Sequence, residues 1–371
     1  MMALMLCFLL TFTAAPGPDP TLPPAEEVGD ILSYVDVSAW DTFFDQMEET
    51  EPWLRPSLLL GRLGTGEAEE GNALLLWLQG KALGGAAGAL TLFWVALGTG
   101  VLSTLCSVLL GEGAVPANRV MAAGLGALLP MRLLPGVRRG LRCLAGLAEL
   151  SEVSAPLVTA ALLLLGSPRS AALMATLGEG LLHTFLTWMQ GILCPLVLSA
   201  GVLRAVDIGG ESVLSGLSKC LFSGARWGVR ALGLGYMAVT ALLIPGGAAA
   251  DSLLLRTGRV AAGSLPLVGS MVSDSLGTAA ACLSVVKGAL GRTGVLLTVA
   301  QAAGPAVELL LSGFSLRAAG AMLQPLEQRE MGSLLSALGE TATLLGALVC
   351  AAGAMLSVSL GGVTGSFGGG V

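Results

Sequence analysis

The stretch Ala82 to Gly111, ALGGAAGALTLFWVALGTGVLSTLCSVLLG, runs for 30 residues without a charged side chain. A helix needs roughly 20 apolar residues to cross a hydrocarbon core about 30 Å thick, and lipid requires every backbone N–H and C=O to be paired internally. The segment therefore decides the class of fold: the chain crosses a membrane as α-helix. Three further charge-free runs repeat the signal, Gly180 to Leu203 with 24 residues, Ala231 to Ala250 with 20 and Thr341 to Val371 with 31. Thr293 to Leu316 is 24 residues long with one acid, Glu308, and Val153 to Pro168 has 16 residues around the dense run Val158 to Leu165. Both are read as spans. Two stretches stay open: Val120 to Met131 has 12 uncharged residues between Arg119 and Arg132, and Val260 to Val286 holds Pro266, Gly269 and Asp274 in its middle. Each fits a short span, a re-entrant hairpin or an interfacial helix. The expected fold is all-α, a polytopic transmembrane helical bundle of six to eight spans with a small extracytoplasmic N-terminal helical segment.

The whole composition agrees. Of 371 residues, 54% are hydrophobic and 12% charged, and mean hydropathy is +0.81. Soluble chains carry about 25% charged residues, so half that number cannot coat a large cytosolic enzyme, which is excluded. The net charge of -6 is uneven: Pro16 to Gly80 holds 13 of the 25 acids and two bases, Arg55 and Arg62. Lys81 to Val371 holds 17 bases and 12 acids. Two regions in different solvents follow. No basic stripe interleaved with aromatics occurs, so nucleic acid is not an expected partner.

Met1 to Ala15, MMALMLCFLLTFTAA, has the length of a signal-peptide core and is short for a span; an uncleaved anchor is the other reading. Residues 16–80 then form an acidic extracytoplasmic segment, and 81–371 a multi-pass membrane domain with a re-entrant element at 260–286. Within the acidic segment Ser38 is expected to cap a helix, with Asp41 closing a capping box. Trp40, Phe43, Phe44 and Met47 make one apolar stripe, suited to packing on the chain itself, on the membrane or on a partner outside it.

Basic residues orient the membrane part. With the acidic segment outside and neither open stretch crossing, the inside loops hold 11 bases, among them Arg132, Arg138, Arg139 and Arg142, against five outside. Small residues four apart, such as Gly84 and Gly88 or Ala342 and Gly346, allow close helix approach.

The inventory for chemistry is thin. Seven cysteines include no CxxC, and the single histidine, His183, lies in the apolar run Leu181 to Leu186. No cofactor or metal site is expected, and no enzymatic activity. Ser284-Val-Val-Lys287 lacks the companion motifs of acylating enzymes. GALGRTG, 288–294, has Arg292 where a phosphate-cradling loop needs Lys. The remaining candidates are polar groups within the membrane, Glu308, His183 and Asp274, because burying a charge there costs several kcal/mol unless a partner or water compensates. For each the alternatives are a packing or ion-pair role and a place on a polar pathway.

The segment from Asp251, DSLLLRTGRVAAGSLPLVGSMVSDSLGTAAACLSVVKGALGRTG, resembles the signature region of the stage III sporulation protein AE family. The matching residues are Asp251, Arg256, Thr257, Pro266, Gly269, Ser273, Asp274, Lys287 and Gly294, and Leu323-Gln324-Pro325-Leu326 is similar to a later family element. The resemblance implies a mother-cell membrane protein made during endospore formation. It further implies membership of a secretion-like channel complex that joins the two membranes around the forespore. Other membrane subunits and the lipid bilayer are then the partners, with a homo-oligomer open. A stand-alone secondary permease for a small solute is the alternative, although no internal repeat supports it.

Overall fold

The structure, a computed structural model, describes residues 37–46, 52–65, 70–110, 114–164, 171–172, 180–206, 216–240, 269–326 and 329–365. Two short helices open it, α1 (Ser38–Gln46) and α2 (Pro56–Thr65). Six long ones follow: α3 (Glu70–Leu110), α4 (Ala114–Leu164), α5 (Gly180–Val206), α6 (216–240), α7 (Gly269–Leu323) and α8 (Arg329–Gly365). The all-α reading holds among the described residues. Five of these helices are long and apolar enough to cross a membrane: Leu76–Leu109, Gly124–Ala160, Gly180–Val206, Gly288–Leu326 and Met331–Gly361. The expected span 231–250 begins on α6 and passes beyond the described residues at 240.

Glycine contacts fix the topology. Gly85 of α3 meets Glu308 of α7 and Gly100 meets Leu323, so these two helices run parallel. Gly136 faces Glu308 and Gly146 faces Gln301, which makes α4 antiparallel to α7; Gly346 against Leu310 and Gly294 against Leu360 do the same for α8. The contacts Gln190 to Leu144 and Gly228 to Leu193 set α5 against α4 and α6 against α5. With His183 beside Glu152 and Gly235 beside Phe185, these pairs are antiparallel too, so successive long helices alternate in direction.

The centre is the α7–α8 hairpin. Where its helices cross, a Cβ on Gly339 would lie 2.7 Å from the Gly313 carbonyl oxygen, and one on Gly320 would lie 2.9 Å from that of Gly332. Only residues without side chains let the backbones come this close, which in lipid supplies the dispersion that holds helices together. Of the expected small pairs, Ala342 and Gly346 are in the packed core, whereas a Cβ on Gly84 or Gly88 meets nothing within 4 Å. In the apolar stretch of α8 78% of residues are buried, against 22% in α3, so α8 is central and α3 presents Leu83, Leu90 and Leu105 to its surroundings.

One expectation needs correcting. Val120 to Met131 and Val153 to Pro168 were read as separate elements with a basic inside loop between them, but α4 passes unbroken through Arg132, Arg138, Arg139 and Arg142. Pro130, Pro135 and Pro156 lie inside it, each removing one backbone donor without ending the helix, since neighbouring helices in a bundle supply alternative partners. The inside loops then lose four of their 11 bases. At the other open stretch, Gly269 begins a helix continuous to Leu323, while Pro266 lies outside the described residues. That helix extends about 28 Å before its apolar part starts at Gly288.

The acidic segment packs on the bundle. Trp40 is fully buried and donates its indole N–H to Ser154 Oγ on α4 at 3.0 Å, with Phe43 and Phe44 beside it. Asp41, expected in a capping box, accepts the Ser57 backbone N–H at 3.2 Å and so serves the start of α2, where Pro56 occupies the first turn. Residues 1–15 lie outside the described residues.

Candidate functional site

Between α1, α3, α4 and α7 lies a cavity of about 920 Å³. Glycine builds it: Gly80, Gly84 and Gly88 recur every fourth residue along α3, and Gly136 and Gly146 lie on the facing side of α4. Along α3 the lining runs from Trp77 to Thr91, which is about 21 Å at the rise of a helix. Phe43, Phe44 and Leu54 close one end. At the other, Leu92 and Leu133 join an apolar cluster with Leu129 and Leu316.

The walls carry charge. Lys81, Arg132, Arg139 and Arg142 line the cavity together with Glu149 and Glu308. Arg139 Nη1 and Glu308 Oε2 are 2.9 Å apart, with 48% and 23% of their side chains exposed. Glu308 is wedged between two glycines: a Cβ on Gly136 would lie 3.2 Å from its Oε1, and one on Gly85 would lie 3.4 Å from its Cα. It stands near the middle of the span Gly288–Leu326, so Arg139 reaches the same depth. Glu308 is thus ion-paired with Arg139 and lines the cavity.

One turn earlier, Pro305 cannot donate to the carbonyl of Gln301. That carbonyl instead accepts from the Cys143 thiol of α4 at 3.3 Å. The carbonyl that Pro305 leaves without a helical donor is thus met by a partner on the neighbouring helix, beside the cavity. Trp77 lines the same space, with Lys81 Nζ 5.8 Å from its ring and an indole N–H that has no hydrogen-bond partner among the described residues.

The other predicted residues lie elsewhere. His183 Nδ1 is 3.3 Å from Glu152 Oε1, both more than half exposed, outside the cavity lining. Asp251, Arg256, Thr257 and Pro266 fall outside the described residues. Gly269, Ser273, Asp274 and Lys287 are on the part of α7 that precedes its apolar stretch. Gly294 packs on Leu360 of α8, and Gln324 and Pro325 form an exposed turn between α7 and α8. GALGRTG is helical, not a loop.

Sequence reading missed Lys81, Arg132, Arg139, Arg142 and Gln301. The available signal was Arg132 and Arg139, seven apart and so on one helical face, obscured by the prolines that argued against a continuous helix.

Fold and site together define a polytopic helical membrane protein with a charged cavity inside its bundle. The family described as Stage III sporulation protein AE matches residues 100–366, and the chain belongs to that family. The α4 and α7 walls of the cavity lie within the match, and the α3 wall precedes it. Over 176 residues, 46% of this chain, it is 29% identical to the Stage III sporulation protein AE of Bacillus subtilis (strain 168). That alignment spans 43% of the relative. No solved structure matches the chain. Family membership ties the protein to sporulation.

Proposed function

We propose that the chain is a structural, non-enzymatic membrane component of a sporulation channel. That channel is a secretion-like complex linking mother cell and forespore, needed for forespore development after engulfment. In this reading the chain sits in the mother-cell membrane around the forespore with residues 16–80 extracytoplasmic. Other membrane subunits and lipid surround it. The observation that carries the reading is the charged cavity among spans of a sporulation-family chain, with Glu308 and Arg139 at mid-depth. Desolvating such groups in lipid is costly, so their place is beside a polar path. The stretch 260–286 is proposed as a re-entrant or interfacial element near it, its described part being the start of the helix at Gly269. A stand-alone permease is favoured only by the cavity volume, which falls within the roughly 300–1,000 Å³ of small-molecule sites.

Deletion followed by complementation separates the two. Arrest after engulfment with normal vegetative growth, unrelieved by a Glu308→Gln variant present at parental levels, is the outcome expected of the channel component. A growth defect on one nutrient with sporulation intact would favour the permease, and full rescue by Glu308→Gln would remove Glu308 from the pathway.

A further inference from the structure

We infer that the cavity binds an organic phosphate, either a soluble phosphate ester or the headgroup of an anionic phospholipid. The inference takes the cavity as the functional site proposed above, and binding by the purified chain succeeds or fails independently of any sporulation phenotype.

The argument starts from the charge on the walls. Four bases and two acids line one cavity, on three helices. Arg139 is held by Glu308, and Lys81 and Arg142 also interact with other groups. Arg132 differs, because among the described residues no carboxylate lies within ion-pair distance of it. It lies in the first part of the apolar span of α4, is exposed, lines the cavity, and stands near the level of Ser312 on α7. A guanidinium within a membrane span calls for an anion or water to meet it. Arg132 and Arg139 are seven residues apart, so they differ by only about 20° around the helix and present two guanidinium forks to the same space.

Paired forks suit phosphate better than a point charge does, since each offers parallel N–H donors that match two oxygens. The apolar side chains Phe43, Phe44, Leu54 and Leu92 at the two ends give the carbon body of an ester or a glycerol backbone a place to lie. With about 920 Å³ available, an organic phosphate of metabolite or headgroup size fits, and inorganic phosphate alone would leave most of the space to water.

The test is calorimetric titration of the purified full chain in a zwitterionic detergent with two probes, sn-glycerol 3-phosphate and short-chain dihexanoyl phosphatidylglycerol. Binding of the first alone assigns a soluble ester, and of the second alone a lipid headgroup; binding of both supports the shared phosphate chemistry. Arg132→Gln is expected to weaken the bound probe on the order of tenfold, the usual worth of a charge-assisted hydrogen bond. Glu308→Gln removes a competing carboxylate and frees Arg139, so it is expected to tighten binding several-fold. Circular dichroism and gel filtration establish that each variant is folded, and should one fail to fold, the other decides. Binding of neither probe, affinity unmoved by Arg132→Gln, or weakening by Glu308→Gln would overturn the inference.

Discussion

Replacing Gly339 by alanine places a methyl group 2.7 Å from the Gly313 carbonyl oxygen, 2.8 Å from Arg317 Cγ and 3.1 Å from Arg317 N. Ordinary contact begins at 3.4 Å, so α7 and α8 must part locally by about 0.7 Å, and two of those atoms are backbone that has no rotamer to change. Overpacking of this kind costs about 1–3 kcal/mol. Gly84 is the matched control, because a Cβ there meets nothing within 4 Å. With the helix already formed in the bilayer, Gly84→Ala is expected to stay within about 0.5 kcal/mol of the parent. The Gly313→Ala, Gly339→Ala double variant should cost less than the sum of its parts, since the first separation makes room for the second methyl. Reversible unfolding in mixed micelles of dodecyl sulfate and a mild detergent, followed by circular dichroism, measures all four chains. Equal losses at 84 and 339, or no loss at 339, would refute the close α7–α8 crossing.

Three more outcomes follow from the site. In a double-mutant cycle of Arg139→Gln and Glu308→Gln, the same unfolding assay should give a coupling of about 1 kcal/mol, the low end for contacting charges, because 48% and 23% of the two side chains are exposed. Cys143→Ala leaves the Gln301 carbonyl without its donor and should destabilise by about 1 kcal/mol, while Cys143→Ser keeps a donor and should lose less. Gly88→Leu fills the cavity where nothing lies within 4 Å of the new Cβ; spore counts should fall while the unfolding midpoint stays near the parent's.

The sequence carried the spans well, because charge-free runs of 20 or more residues have few alternatives in lipid. The described parts of Ala82 to Gly111, Gly180 to Leu203, Thr293 to Leu316 and the C-terminal run lie on long helices. Where it failed, two opposed signals met. Arg132 to Arg142 reads as a loop by charge, and Pro130 and Pro135 read as helix ends, yet α4 continues because Glu308 pairs with Arg139 and other helices pack alongside. Such pairing joins residues 169 positions apart, so no local window reports it. Glu308 itself was legible as a lone acid in an apolar run, but its partner was not. The acidic N-terminal helix was likewise recognised by its stripe, whereas its seat against Ser154 is tertiary information. The glycines told of close packing without saying which would pack: Gly313 and Gly339 meet a helix, and Gly84 and Gly88 meet the cavity.

The central claim is that a polar cavity lies within the membrane-crossing bundle. In a background lacking the seven native cysteines, single cysteines at Gly84 and Gly304 line that cavity, and one at Leu345, only 2% exposed, sits in the packed core. Reaction in native membranes with a small anionic, membrane-impermeant thiosulfonate measures whether aqueous reagent reaches each position. Labelling at 84 and 304 but not at 345 is the predicted result; protection of all three, with the chains folded, would contradict the account.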